Sequence, residues 1–142
     1  MKIVDANLLI YAVNRDAPKH REARAWWEKT LSGGERVGLC WMVLLAFVRL
    51  TTRTGLFRHP LSVKAAIGLV RSWLDEPMVE VVREGPEHVR IFEQMLASTG
   101  TGGNLTTDAY LAALAIERGA ELCSCDADFA RFSGLKWTNP LA

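Results

Sequence analysis

Four short apolar runs, Met1–Val4, Val37–Cys40, Met78–Val82 and Glu121–Cys125, separated by long stretches of helical periodicity, constrain this chain more than any other feature. Runs of four or five residues bounded by turn residues suit buried strands, and the intervening segments have room for two helices each. The order β-α-α-β-α-α-β-α-α-β follows. Strands joined by helical crossovers pair in parallel, so the expected fold is α/β, a three-layer α/β/α arrangement with a central parallel sheet. A chain of 142 residues fits one domain, 1–142, whose core needs neither disulfides nor a structural metal.

The helical segments carry their own punctuation. Between Pro18 and Leu31, Ala23, Trp26, Trp27 and Thr30 recur at helical spacing before Ser32-Gly33-Gly34 ends the run. On such an amphipathic helix the two indoles are expected to pack in the core or at an interface rather than stack on bases. Met42 to Arg53 is apolar almost all round, which predicts deep packing or a subunit contact. Ser62 is the expected N-cap of a helix to Asp75, with Pro77 as its stop, and Pro86 opens another to Ala97. Thr106 or Thr107 is the expected cap of the last long helix, which Gly119 closes.

Several function classes fall away. Seventeen basic and sixteen acidic residues give a net charge of +1, so no bulk field draws in nucleic acid or an anionic membrane. Cys40, Cys123 and Cys125 sit among apolar residues like the reduced thiols of a cytoplasmic protein. A zinc site at Cys123 and Cys125 lacks a second pair, and His20, His59 and His88 lack ligand spacing. Asp5 spoils a signal peptide, and no apolar stretch approaches the roughly 18 residues of a membrane span. The glycine-rich Thr99–Asn104 loop is followed by no Gly-Lys-Ser/Thr, so it reads as a hinge rather than a phosphate cradle.

Three acids stand at equivalent places in this architecture: Asp5 after the first strand, Asp108 in the first turn of a helix, and Asp126 after the fourth strand. Singly, each suits a turn or a helix start. Together they lie on the edge where strand carboxyl ends meet helix amino ends, the edge at which open α/β sheets bind ligands. Carboxylates about 4 Å apart repel by roughly 4 kcal/mol at an effective dielectric near 20, and a divalent cation offsets that. All-oxygen donors suit Mg²⁺ or Mn²⁺, which can lower the pKa of bound water and polarise a phosphoryl oxygen. Asn7 is placed to orient a carboxylate or a bound water.

Val4-Asp5-Ala6-Asn7-Leu8-Leu9, the segment Gly103 to Ala115 around Asp108, and Cys123 to Phe132 with Asp126 and Asp128 resemble, in order and spacing, three signature segments of PIN-domain ribonucleases. More narrowly they resemble the VapC toxins of bacterial toxin–antitoxin pairs. The resemblance spans essentially the whole chain. It implies a PIN-like fold, Mg²⁺- or Mn²⁺-dependent endonucleolytic cleavage of RNA, a homodimer, and inhibition by a small VapB-type antitoxin. It carries the metal-holding and catalytic roles over to Asp5, Asp108 and Asp126.

One position departs from the family pattern: Ala46 stands where a central-helix Glu is usual. Three consequences are open: a site for one ion, a substitute acid, for which Asp128 is the favoured candidate, or reduced activity. The last describes an alternative function, a weakened PIN-like module that chiefly binds antitoxin or RNA. Arg49 and Arg53, four residues apart, are expected on one helix face, there to meet RNA phosphates or an antitoxin carboxylate, or else to pair with local acids or simply stand in solvent. A dehalogenase-type phosphatase needs an acid at position 7, where Asn7 stands, and a receiver domain needs a phospho-acceptor and late Lys of which only fragments are present.

Overall fold

The computed structural model describes residues 1–142 apart from Leu56 and Thr101, and the backbone alone of Asn104. Thr101, within the expected hinge, therefore lies outside the described residues. The chain runs β1 (Lys2–Val4), α1 (Ala6–Val13), α2 (His20–Ser32), β2 (Val37–Leu39), α3 (Trp41–Thr52), α4 (Val63–Leu74), β3 (Val79–Val81), α5 (His88–Thr99), α6 (Thr106–Glu117), β4 (Glu121–Cys123) and β5 (Trp137–Thr138). The four expected strands all form, and every pairing is parallel in the order β3-β2-β1-β4-β5.

That order reverses beside β1. Helices α1 to α4 carry the chain outward through β2 to β3, and α5 and α6 return it across β1 to β4. Right-handed crossovers then place the outgoing and returning helices on opposite faces. The register Lys2↔Glu121, Ile3↔Leu122 and Val4↔Cys123 brings the carboxyl ends of β1 and β4 level, at the switch point where a crevice opens.

Burial on both faces explains why the strands are almost wholly apolar: Ile3, Val4, Val37, Leu39 and Leu122 have no exposed surface. Gly38 has a steric reason, since a Cβ there would stand 2.5 Å from a Val82 methyl. Trp27 is buried, its ring edge-on to Trp73 at 5.7 Å, and Trp73 meets Phe47 at 4.8 Å, so this indole belongs to the core as its helical spacing predicts. Ser62 caps α4 by accepting the Ala65 N–H at 3.0 Å, and Gly119, at φ +61°, ends the turn after α6.

Two local expectations need correction. Neither Thr106 nor Thr107 caps α6: a 3₁₀ turn, Gly103–Leu105, runs straight into the helix, Leu105 occupies the cap position, and no side chain bonds there. Arg53 is the C-cap of α3, the residue at which the backbone turns extended and the helix that carries Arg49 ends. Strand β5 was not expected. Two residues carry no periodicity, and only pairing with β4 makes them a strand.

Candidate active site

Asp5 sits one residue beyond β1, and its backbone N–H continues the ladder by donating to the Cys123 carbonyl at 3.0 Å. It caps α1, with Oδ1 accepting the Ala6 N–H at 2.7 Å. Its Oδ2 accepts from the Ser124 hydroxyl at 2.7 Å and the Asn7 amide at 3.3 Å. Ser124 is fully buried, and its Oγ also accepts from Asn7 Nδ2 at 3.1 Å and from the Asp126 N–H at 3.0 Å. Asn7 Oδ1 in turn accepts the Cys125 N–H at 3.2 Å. The ends of β1 and β4 are thus stitched together by side chains where the ladder stops.

Ser124 is missing from the sequence-based site residues. Its signal was faint: a small hydroxyl inside an apolar strand run, two residues before an acid.

Beyond the stitch, Asp126 Oδ1 accepts the Asp128 N–H at 2.9 Å and fixes a short 3₁₀ turn, Ala127–Arg131. Asp108, in the first turn of α6, faces this turn. Carboxylate oxygens of Asp108, Asp126 and Asp128 lie within 4.8 Å of one another. Asp5 is outside that group; its two oxygens accept the hydrogen bonds of the stitch, its charge acts on Asp108, and it feels the charge of Asp126.

The electrostatics show the strain of the arrangement. Partial burial, then the charges of Asp126, Asp5 and Asp128, push the Asp108 carboxyl up from 3.8 to about 6. Burial also raises Asp5, and Asp126 adds to this, while the hydrogen bonds from Ser124 and Ala6 pull it back. Unit charges at such separations repel by on the order of 3 kcal/mol at an effective dielectric near 20.

The donor set fits a small hard cation, because every facing atom is a carboxylate oxygen. Oxygens around one Mg²⁺ span up to about 4.2 Å, close to the 4.8 Å within which these carboxylates already stand.

Asp108 also lines a cleft of about 320 Å³ together with Asp5, Met42, Ala46, Arg49 and Thr107. Ala46 therefore sits on the wall of the cleft, where a longer acidic side chain would reach toward the site. Arg49 is exposed and forms no ion pair with any described residue, so among the readings left open for it the local salt bridge drops out.

Comparison with known proteins accords with this geometry. Residues 2–135 match the PIN domain family. The chain is 49% identical to Ribonuclease VapC37 of Mycobacterium tuberculosis over 142 residues, covering 100% of this chain and 99% of that one. Among solved structures it resembles VapBC2 of Rickettsia felis bound to a promoter DNA fragment, with a TM-score of 0.70 and 15% identity over 97% of each chain. It also resembles the M. tuberculosis toxin VapC20, which cleaves the sarcin-ricin loop, with a TM-score of 0.66 and 20% identity over 96% of this chain and 99% of that one. At these identities the two structures speak for the fold. With nearly its whole length matched to the family, and about half its residues shared with a named relative, the chain belongs to the PIN-domain family, among its VapC ribonucleases.

Proposed function

We propose that this protein is an Mg²⁺- or Mn²⁺-dependent endoribonuclease, the toxin of a pair whose partner is a small VapB-type antitoxin. The observation that carries the reading is the convergence of Asp108, Asp126 and Asp128 beside the half-buried Asp5, at the mouth of a cleft that also presents Arg49.

Asp108 and Asp126 would hold the ion directly, Asp128 would complete the group, and Asp5 would act from the stitched end of β1. An ion bound there supplies Lewis acidity toward a phosphodiester and a water of lowered pKa. The protein's own side chains do the rest. Ser124 and Asn7 keep the Asp5 carboxylate in one orientation, so little reorganisation accompanies substrate entry. The Arg49 guanidinium, unpaired on the cleft wall, would bind a phosphate of the RNA strand and hold the chain across the acids. Burial and the neighbouring acids hold the Asp108 carboxyl up at about 6, and a cation held there would favour its charged form.

Assembly as a homodimer is supported by four exposed apolar side chains at one-turn spacing on two contacting helices: Trp41 and Leu45 of α3, Val63 and Ile67 of α4.

A second reading rests on Ala46, whose methyl group leaves the cleft wall without a fourth acid: a weakened module that binds RNA or antitoxin without cutting. Titrating Mn²⁺ into the protein by calorimetry, then adding RNA, separates the two. The nuclease reading expects saturable Mn²⁺ binding that Asp108→Ala with Asp126→Ala abolishes, and cleavage that follows it. RNA binding without Mn²⁺ uptake or cleavage supports the second reading.

A further inference from the structure

The peptide plane joining Ser124 to Cys125 is pinned at both ends. Its N–H, that of Cys125, donates to Asn7 Oδ1 at 3.2 Å. Its carbonyl, that of Ser124, accepts the indole N–H of Trp137 at 3.0 Å. Strand β4 stops at Cys123, so this plane lies just beyond the backbone ladder, where the chain turns to deliver Asp126. The ladder itself supplies one more tie, the Ser124 N–H to the Thr138 carbonyl at 3.1 Å.

The indole bond is of a different kind. Strand β5 pairs Trp137 with Leu122 and Thr138 with Cys123, and neither pairing needs a side-chain donor. The half-buried ring of Trp137 reaches two residues past its own register partner to meet a residue with no exposed surface. A buried carbonyl deprived of its donor is costly, and the chain relieves that cost by rotating the plane toward solvent. Because the peptide is rigid, the rotation also moves the Cys125 N–H off Asn7. With both ties to this plane lost, the next amide along, that of Asp126, is held only by its own bond to Ser124 Oγ.

We propose that Trp137 is a positioning residue for the acid group: through its indole N–H it holds the Ser124–Cys125 peptide, and with it the turn that presents Asp126 and Asp128. The inference rests on the proposed metal site for its use, but the pinning of the turn is a property of the metal-free protein. Trp137 touches no substrate or ion in this account.

The test is hydrogen exchange of the metal-free protein, read at the Cys125 and Asp126 amides in wild type and Trp137→Phe, which keeps an aromatic ring and removes the donor. Exchange at those two amides is expected to rise about tenfold, the equivalent of one lost hydrogen bond, while Ile3 and Leu39 in the core strands change far less. Unchanged exchange, or a rise spread evenly over Ile3 and Leu39, overturns the proposal, the second because it shows a merely structural role. Should Trp137→Phe fold poorly, benzothienylalanine at 137, which replaces only the indole N–H by sulfur, is measured instead with the same two outcomes. A parallel Mn²⁺ titration is expected to show about tenfold weaker binding in the variant. Undiminished affinity contradicts a positioning role. Absence of Mn²⁺ binding by the wild type overturns the metal reading and the link to it, whereas local exchange that rises in the variant still identifies Trp137 as the pin of the turn.

Discussion

The hydroxyl of Ser124 donates to Oδ2 of Asp5 at 2.7 Å, a contact across 119 positions of sequence that ties the carboxyl ends of β1 and β4 together. Asp5 and Asp126 are therefore two ends of one hydrogen-bonded unit, and perturbing Ser124 perturbs both.

Ser124→Ala removes one donor to the half-buried Asp5 carboxylate and one acceptor from the Asp126 N–H. The variant is expected to lose about 1–3 kcal/mol of stability, measured by urea denaturation of the metal-free protein. The Asp5 carboxyl should also rise further, since a hydrogen bond that favours its charged form is gone. NMR titration of the Asp5 carboxyl carbon reads that directly, and an unmoved midpoint would show that Ser124 does not stabilise the charge.

A pH dependence follows from Asp108. Its folded value of about 6 lies above the 3.8 of the unfolded chain, so the native state binds the proton more tightly. The group's favourable contribution is fully present below about pH 4 and is lost as pH rises through about 6; Asp5, also raised, acts in the same direction. In chelator, Asp108→Asn should flatten the loss of melting temperature between pH 5 and 7.5. Allowing for the partial exposure of Asp108, its gain at pH 7.5 is on the order of 1 kcal/mol, about 4 °C. Added Mn²⁺ should stabilise wild type and not the variant. A variant less stable than wild type at pH 7.5 in chelator would contradict the repulsion described for this group.

Ala46→Glu places a carboxylate on the cleft wall that Asp108 also lines. Metal affinity is expected to rise severalfold, because one more oxygen ligand joins the set. Calorimetry with Mn²⁺ at pH 7.5 measures it. Unchanged affinity would mean that position 46 does not look toward the ion, and the correspondence of Ala46 with the usual Glu would be wrong.

The exposed Trp41, Leu45, Val63 and Ile67 predict a homodimer at micromolar concentration. Light scattering on Leu45→Glu with Ile67→Glu should show a monomer, since buried unpaired charges are costly. A wild type that is itself monomeric removes the assignment of this face.

Much of the architecture was legible because its signals are local and repeated. Apolar runs such as Met1–Val4 and Glu121–Cys125 can hardly be anything but buried strands, and Ser62 and Gly119 mark helix ends by their own chemistry. What was not legible depends on partners distant in sequence. Strand β5 exists because β4 is beside it, and Ser124 matters because Asp5, Asn7 and Asp126 surround it. The acids were placed on the correct edge, but which of them face one another depends on side-chain direction. Carboxylate oxygens of Asp126 and Asp128 come within 4.8 Å of Asp108, while Asp5 lines the same cleft as Asp108 with both its oxygens hydrogen-bonded. Thr106 and Thr107 misled for a related reason, since a preceding 3₁₀ turn removes the need for a cap.

The central claim is that Asp108 belongs to a cation site that cuts RNA. The most direct measurement is cleavage of a labelled structured RNA at pH 7.5 by wild type, Asp108→Asn and Asp128→Asn, each with Mn²⁺ and with chelator. The account predicts cleavage by wild type only when the ion is present, background for Asp108→Asn, and a loss of about 10–100-fold for Asp128→Asn. Cleavage that persists in chelator, or in Asp108→Asn at the wild-type rate, would contradict it.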